Sequence, residues 1–242
     1  MVYESKYYGT VNLGDSIMHY GVKGQKWGIR RYQNADMSLT PEGRIHYGIG
    51  QGKRKGNSVY KNQVVNDLLK SLNTDWEYGV IYNGKHINTE SENFDWSKYR
   101  TLPVKTLSKE KIGTCWDFVN YQHKILSDAG IENDAFLVMM DLRTKEEPDR
   151  IVTHTFTTCK LDGKEYWLES AMWPKRGLHE IKSFEDAAKE VASVYSENPK
   201  PYSLFKYNPD GMDAGLTGDE FIDKATDGTW LGDYNTDKKK RS

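Results

Sequence analysis

Asp162-Gly163 is the feature that most constrains this chain, because it sits between two runs able to form strands, Val152 to Leu161 and Lys164 to Ser170. A dipeptide of this kind favours a two-residue hairpin turn. The turn sets a register in which Leu161 lies opposite Lys164 and Phe156 opposite Glu169. Opposite side chains of an antiparallel pair share a face, and so do residues two apart along a strand. His154, Phe156 and Glu169 are therefore predicted on one face, with Glu169 diagonal to His154. At such a diagonal, roughly 7 Å between backbones, a glutamate reaches an imidazole nitrogen and fixes its tautomer. Cys159 has the opposite parity from His154, points to the other face, and is expected to be a core residue.

Helical spacing of Val59, Val64, Val65, Leu68, Leu69 and Leu72 predicts an amphipathic helix that opens the folded domain. Asn83-Gly84 predicts a second hairpin between Tyr78–Tyr82 and His86-Ile87. Residues 88–110 are polar and are expected to be loop. Thr114 to Asp128 reads as a helix ending at Gly130, and Ala135 to Met140 as a buried strand. A charged loop spans Arg143 to Arg150. Ser183, with Asp186 three residues on, starts a helix to Tyr195, and a short helix is expected at Asp219 to Ala225. The fold class is α+β, a nucleophile helix packed on an antiparallel sheet. The division is an irregular basic arm at 1–58, a folded domain at 59–206 and an acidic tail at 207–242.

The capping pattern in Gly113-Thr114-Cys115-Trp116-Asp117 puts Thr114 at the N-cap and Cys115 in the first helical turn. A helix start favours negative charge, and the thiolate is the nucleophilic form of cysteine, so this placement lowers the thiol pKa from roughly 8.5. His154 lies 39 residues further on. A thiol at a helix start, a histidine on a strand and an acid on the next strand is the arrangement nucleophilic catalysis needs. The predicted catalytic set is Cys115, His154 and Glu169. An oxyanion requires two donors, the first being the Cys115 backbone N–H. Tyr78, Trp76 and Asn83 are candidates for the second, each with a structural alternative. Trp116 and Trp173 are candidate walls of a substrate cleft, with core packing the alternative, and Tyr78 joins them as a substrate-binding candidate.

Lys111 to Asp117, the His154-Thr155-Phe156 strand and the Trp167-Leu168-Glu169-Ser170 strand together resemble the transglutaminase-like cysteine peptidase superfamily, over roughly residues 75–195. The resemblance implies a transglutaminase/papain-like fold and assigns nucleophile, base and orienting acid to Cys115, His154 and Glu169. Glu169 departs from the commoner Asp by keeping the charge and lengthening the reach. In the arm, His19 to Asn34 and Ser38 to Arg44 resemble a short module of phage and prophage structural proteins. That similarity implies a phage-encoded protein meeting virion or assembly partners, in the bacterial host cytoplasm or on the virion. Gln25-Lys26 within it sets an amide beside an amine, a candidate processing or crosslinking site.

The expected function is thiol hydrolysis of amide bonds in a protein or peptide, as a protease or isopeptidase. The alternatives are a crosslinking acyltransferase with the same triad and a noncatalytic phage structural or assembly protein. With 34 Lys and Arg against 35 Asp and Glu, charge gives no argument for nucleic acid or membrane. Its distribution is uneven: residues 1–62 hold ten bases against four acids, and residues 207–237 hold eight acids against Lys224 alone. Two cysteines are too few for a disulfide framework or a zinc cluster. His19, His46, His86, His123 and His179 lack metal-ligand spacing, and no phosphate-binding glycine loop occurs, so no metal or cofactor is expected. Neither a signal peptide nor an apolar membrane span is read in the sequence.

Overall fold

A computed structural model describes residues 2–5, 9–12, 32, 39–47, 58–89, 94–148, 150–195, 202–211 and 214–227. In chain order the elements are β1 (Val2–Ser5), β2 (Gly9–Asn12), α1 (Pro41–Tyr47), α2 (Ser58–Thr74), β3 (Glu77–Tyr82), β4 (Lys85–Asn88), α3 (Val104–Glu110), β5 (Ile112–Gly113) and α4 (Cys115–Asp128). They continue with β6 (Asn133–Asp141), β7 (Ile151–Leu161), β8 (Lys164–Glu169), β9 (Gly177–Ile181), α5 (Phe184–Tyr195), β10 (Tyr202–Tyr207) and α6 (Gly218–Thr226). The architecture is α+β. None of the described helices is long and apolar enough to cross a membrane.

The principal sheet is antiparallel with strand order β10-β6-β7-β8-β9. Its two faces are read from alternating residues, as a pleated strand requires. Ala135, Leu137, Cys159, Leu161 and Leu168 join the cluster formed with α2 and α4. Phe136, Val138, Met140, Phe156 and Trp167 join the cluster formed with Ala187, Ala188, Val191 and Ala192 of α5. Both faces are thus covered, which accounts for the unbroken apolar run at Ala135 to Met140. A smaller sheet runs β4-β3-β5, with β3 and β5 parallel and Tyr78 beside Gly113.

Both expected hairpins form about left-handed turns, Asn83-Gly84 at φ 50° and 72° and Asp162-Gly163 at φ 52° and 80°. Gly130 ends the α4 region at φ 69°, as its place in the sequence predicts. Three segments differ from expectation. Residues 88–110 contain α3, seven residues whose single fully buried side chain, Leu107, leaves no periodicity to read. Within the arm read as irregular, α1 docks: Glu42 Oε1 accepts hydrogen bonds from Tyr121 Oη (2.6 Å) and Ser108 Oγ (2.7 Å), and Leu39 is buried. The phage-like module lies largely outside the described residues, Gln25-Lys26 entirely so. At the other end, the residues assigned to a tail from 207 onward begin inside the core, where Phe221 of α6 stacks on Trp116 at 4.7 Å.

Candidate active site

The start of α4 is built from a tight turn. Thr114 occupies the N-cap with extended backbone (φ −91°, ψ −179°), and Asp117, three residues on, turns its carboxylate back to the Thr114 backbone N–H. Asp117 Oδ2 accepts hydrogen bonds from Thr114 N (3.0 Å), Thr114 Oγ1 (3.1 Å) and Tyr99 Oη (2.9 Å), while Oδ1 accepts one from Leu102 N (3.2 Å). A Cβ on Gly113 would lie 2.7 Å from Asp117 Cβ, so glycine there permits the close approach. Asp117 is fully buried, and its burial, outweighing these hydrogen bonds, raises its carboxyl to about 6. This turn fixes the backbone on which Cys115 follows.

Cys115, His154 and Glu169 are brought together, and all three are buried. His154 Nε2 lies 2.8 Å from Glu169 Oε2. With Nε2 engaged by the carboxylate, Nδ1 is the nitrogen left for the Cys115 thiol, to which His154 is hydrogen-bonded. Glu169 Oε1 accepts the N–H groups of Ala171 (2.7 Å) and Met172 (2.9 Å). The extra methylene of glutamate does not disturb the contact with histidine.

The electrostatics of the trio favour a charged pair. Burial opposes the imidazolium, but the carboxylate of Glu169 and the sulfur of Cys115 outweigh it and raise His154 to about 10. Burial likewise opposes the thiolate. The hydrogen bond and charge of His154, followed by hydrogen bonds from Thr155, overcome it and bring Cys115 below the ordinary thiol value. Cys159 lies in the core under α4, where burial pushes its thiol up to about 12.

The β7–β8 register agrees with the turn, from Leu161 opposite Lys164 to Thr157 opposite Leu168. The ladder ends there, one pair short of Phe156 and Glu169, and side chains rather than backbone bridge the strands beyond it.

Tyr78 also reaches the site. The parallel pairing of β3 with β5 sets it next to Gly113, and its phenol hydrogen-bonds with both the thiol and the backbone of Cys115. Burial, then the charge on Cys115, holds this phenol well above its ordinary range, so its O–H remains a donor. Of the other oxyanion candidates, Trp76 packs on Phe118 and Tyr121, and Asn83 occupies an exposed turn. Trp116 packs against Tyr99 and Phe221 in the core, the alternative to a cleft wall, because the face of α4 that carries it is covered by α6. Trp173 is 72% exposed, with the Arg176 guanidinium 4.6 Å from its ring centre.

Sequence reasoning missed Thr155, and it missed Tyr195, whose ring centre lies 6.4 Å from that of His154. It missed Gln122 as well, although seven residues after Cys115 places it on the same side of α4. Among the described residues no group of three or more His, Cys, Asp or Glu side chains could hold a metal ion.

No family model and no curated protein matches this sequence. Among solved structures, a protein from Parabacteroides distasonis provisionally described as a protease shares 14% identity at a TM-score of 0.32, over 57% of this chain and 26% of that one. A protein from Cytophaga hutchinsonii provisionally described as a cysteine protease shares 15% identity at a TM-score of 0.33, over 69% of this chain and 49% of that one. This chain thus spans about a quarter and about half of their lengths. Likenesses of this strength carry no argument.

Proposed function

We propose that this chain is a cysteine-dependent hydrolase of amide bonds in a protein or peptide, with Cys115 as nucleophile, His154 as acid and base, and Glu169 as the acid that orients it. The single observation that carries this reading is the buried line of hydrogen bonds from the Cys115 thiol through His154 to Glu169, with thiol and imidazole shifted toward thiolate and imidazolium. A buried cysteine without a function is ordinarily a neutral apolar group, as Cys159 is.

The reaction begins with thiolate attack on the amide carbon, which moves the carbonyl electrons onto oxygen. The Tyr78 hydroxyl, which lies at the thiol and itself accepts the Cys115 backbone N–H, supplies a donor for that oxyanion. The imidazolium gives its Nδ1 proton to the leaving nitrogen, the carbon–nitrogen bond breaks, and a thioester remains. Water attacks the thioester while Nδ1 takes its proton. Collapse releases the carboxylic acid and restores the ion pair. An amine accepted in place of water would give transfer through the same thioester.

Iodoacetamide labelling at near-neutral pH tests the reading. Cys115 is expected to react much faster than Cys159, with the preference lost in His154→Ala. Equal, slow labelling of both cysteines, or an unchanged His154→Ala variant, defeats it.

A further inference from the structure

Resting on the hydrolase reading, we infer that Gln122 is a positioning residue that fixes the nucleophile helix against both strands carrying its partners. Gln122 follows Cys115 by seven residues, about two helical turns or roughly 10 Å along α4. Seven residues return to nearly the same azimuth, so the amide faces the side on which the thiol lies. Its Oε1 accepts a hydrogen bond from Thr157 Oγ1 at 2.6 Å, and its Nε2 donates to Ser170 Oγ at 2.9 Å.

The two hydroxyls are placed informatively. Thr157 is on β7, three residues after His154, and is half of the last paired position before the β7–β8 ladder ends. Ser170 directly follows Glu169. The amide therefore stands where backbone pairing stops and ties α4 to both strands at once. Gln122, Thr157 and Ser170 are at most 2% exposed, so water offers these groups little alternative.

An amide carries its acceptor and donor in a fixed plane, and each must find its own hydroxyl. Sliding or rotating α4 breaks one bond or both and leaves a polar group buried and unpaired. An apolar residue of the same size would fill the space without selecting a helix position. Because acylation depends steeply on how the thiol is aligned, an error of an ångström in that position is felt in the rate. Gln122 touches none of the reacting atoms and acts through the placement of Cys115 relative to His154.

Gln122→Met keeps the volume and removes both polar atoms; Thr157→Val keeps the branched shape and removes one bond. For each folded variant and wild type, the pH dependence of Cys115 alkylation by iodoacetamide and the rate of acylation by p-nitrophenyl acetate are measured. The expected result is an alkylation midpoint moved up toward the free-thiol value of roughly 8.5, with acylation slowed about tenfold or more. Unchanged midpoints and rates in a folded variant, against a depressed midpoint in wild type, overturn the inference alone. A wild-type midpoint at the free-thiol value removes the hydrolase reading on which it rests. If Gln122→Met fails to fold, Thr157→Val decides.

Discussion

Glu169 divides its two oxygens between two tasks. Oε2 faces His154, and Oε1 receives the N–H groups of Ala171 and Met172, so one carboxylate holds the imidazole and pins the turn after β8. Glu169→Gln preserves an oxygen for the backbone and removes the charge that holds His154 at about 10. The thiolate then loses its cationic partner, and alkylation of Cys115 is expected to shift toward a midpoint of roughly 8.5. The same substitution has a signature in stability. A histidine raised above its unfolded value of roughly 6.5 contributes stability that is complete below that pH and is lost as pH rises through its folded value, here about 10. The lowered thiol of Cys115 works in the opposite sense, gaining stability as pH rises toward the free-thiol value of roughly 8.5, so urea midpoints for wild type should fall only above that value, through pH 10, and those for Glu169→Gln should fall less.

At the scale of an element, the first turn of α4 depends on a carboxylate that is itself costly to bury. Asp117 accepts from Thr114, Tyr99 and Leu102, and without it the two hydroxyls would keep only their 3.3 Å contact with each other. Asp117→Ala should destabilise the protein by about 3 kcal/mol, since it strands buried donors, and lower the melting temperature by roughly 6–12 °C for a chain of this size. Its carboxyl, raised to about 6, contributes stability that is full below the unfolded carboxylate value of roughly 3.9 and is lost as pH rises through 6. Comparing denaturant midpoints at pH 4 and pH 7 should show this dependence in wild type and its loss in Asp117→Ala. A pattern of hydroxyl, two residues and acid announces a capped helix, but it does not say that the acid is buried.

Across the whole molecule, α1 and α6, which flank the principal sheet and its helices in sequence, both lean on α4. Glu42 of α1 reaches Tyr121, and Phe221 of α6 stacks on Trp116. Phe221 is fully buried and meets Tyr207 edge to face at 5.5 Å, so α6 is held against α4 and β10 together. Phe221→Ala should cost about 3–5 kcal/mol, the range for emptying a buried aromatic site, and chemical denaturation is the measurement that checks it. A cost near zero would mean that α6 adds nothing to the core. The acidic composition after residue 207 conceals this role, because the few aromatic side chains there are spread among many acids and give little pattern.

What is local can be read from the residues alone: two hairpin turns needing positive φ, the capped start of α4, the period of α2 and the buried run in β6. The Asp162-Gly163 turn carried furthest, because hairpin register is fixed by the turn and places His154 near Glu169 without knowledge of the rest of the chain. Whatever depends on distant partners emerges with packing. The lone apolar side chain of α3 gives no period, and β9 and β10 acquire meaning only beside β8 and β6. Tyr78 reaches Cys115 because β3 pairs with β5, and Gln122 matters because Thr157 and Ser170 stand on either side of it. Turns and caps are settled by neighbours within a few residues of one another, so a sequence shows them. The distance from a thiol to an imidazole depends on how a helix sits on a sheet, and that is settled by packing.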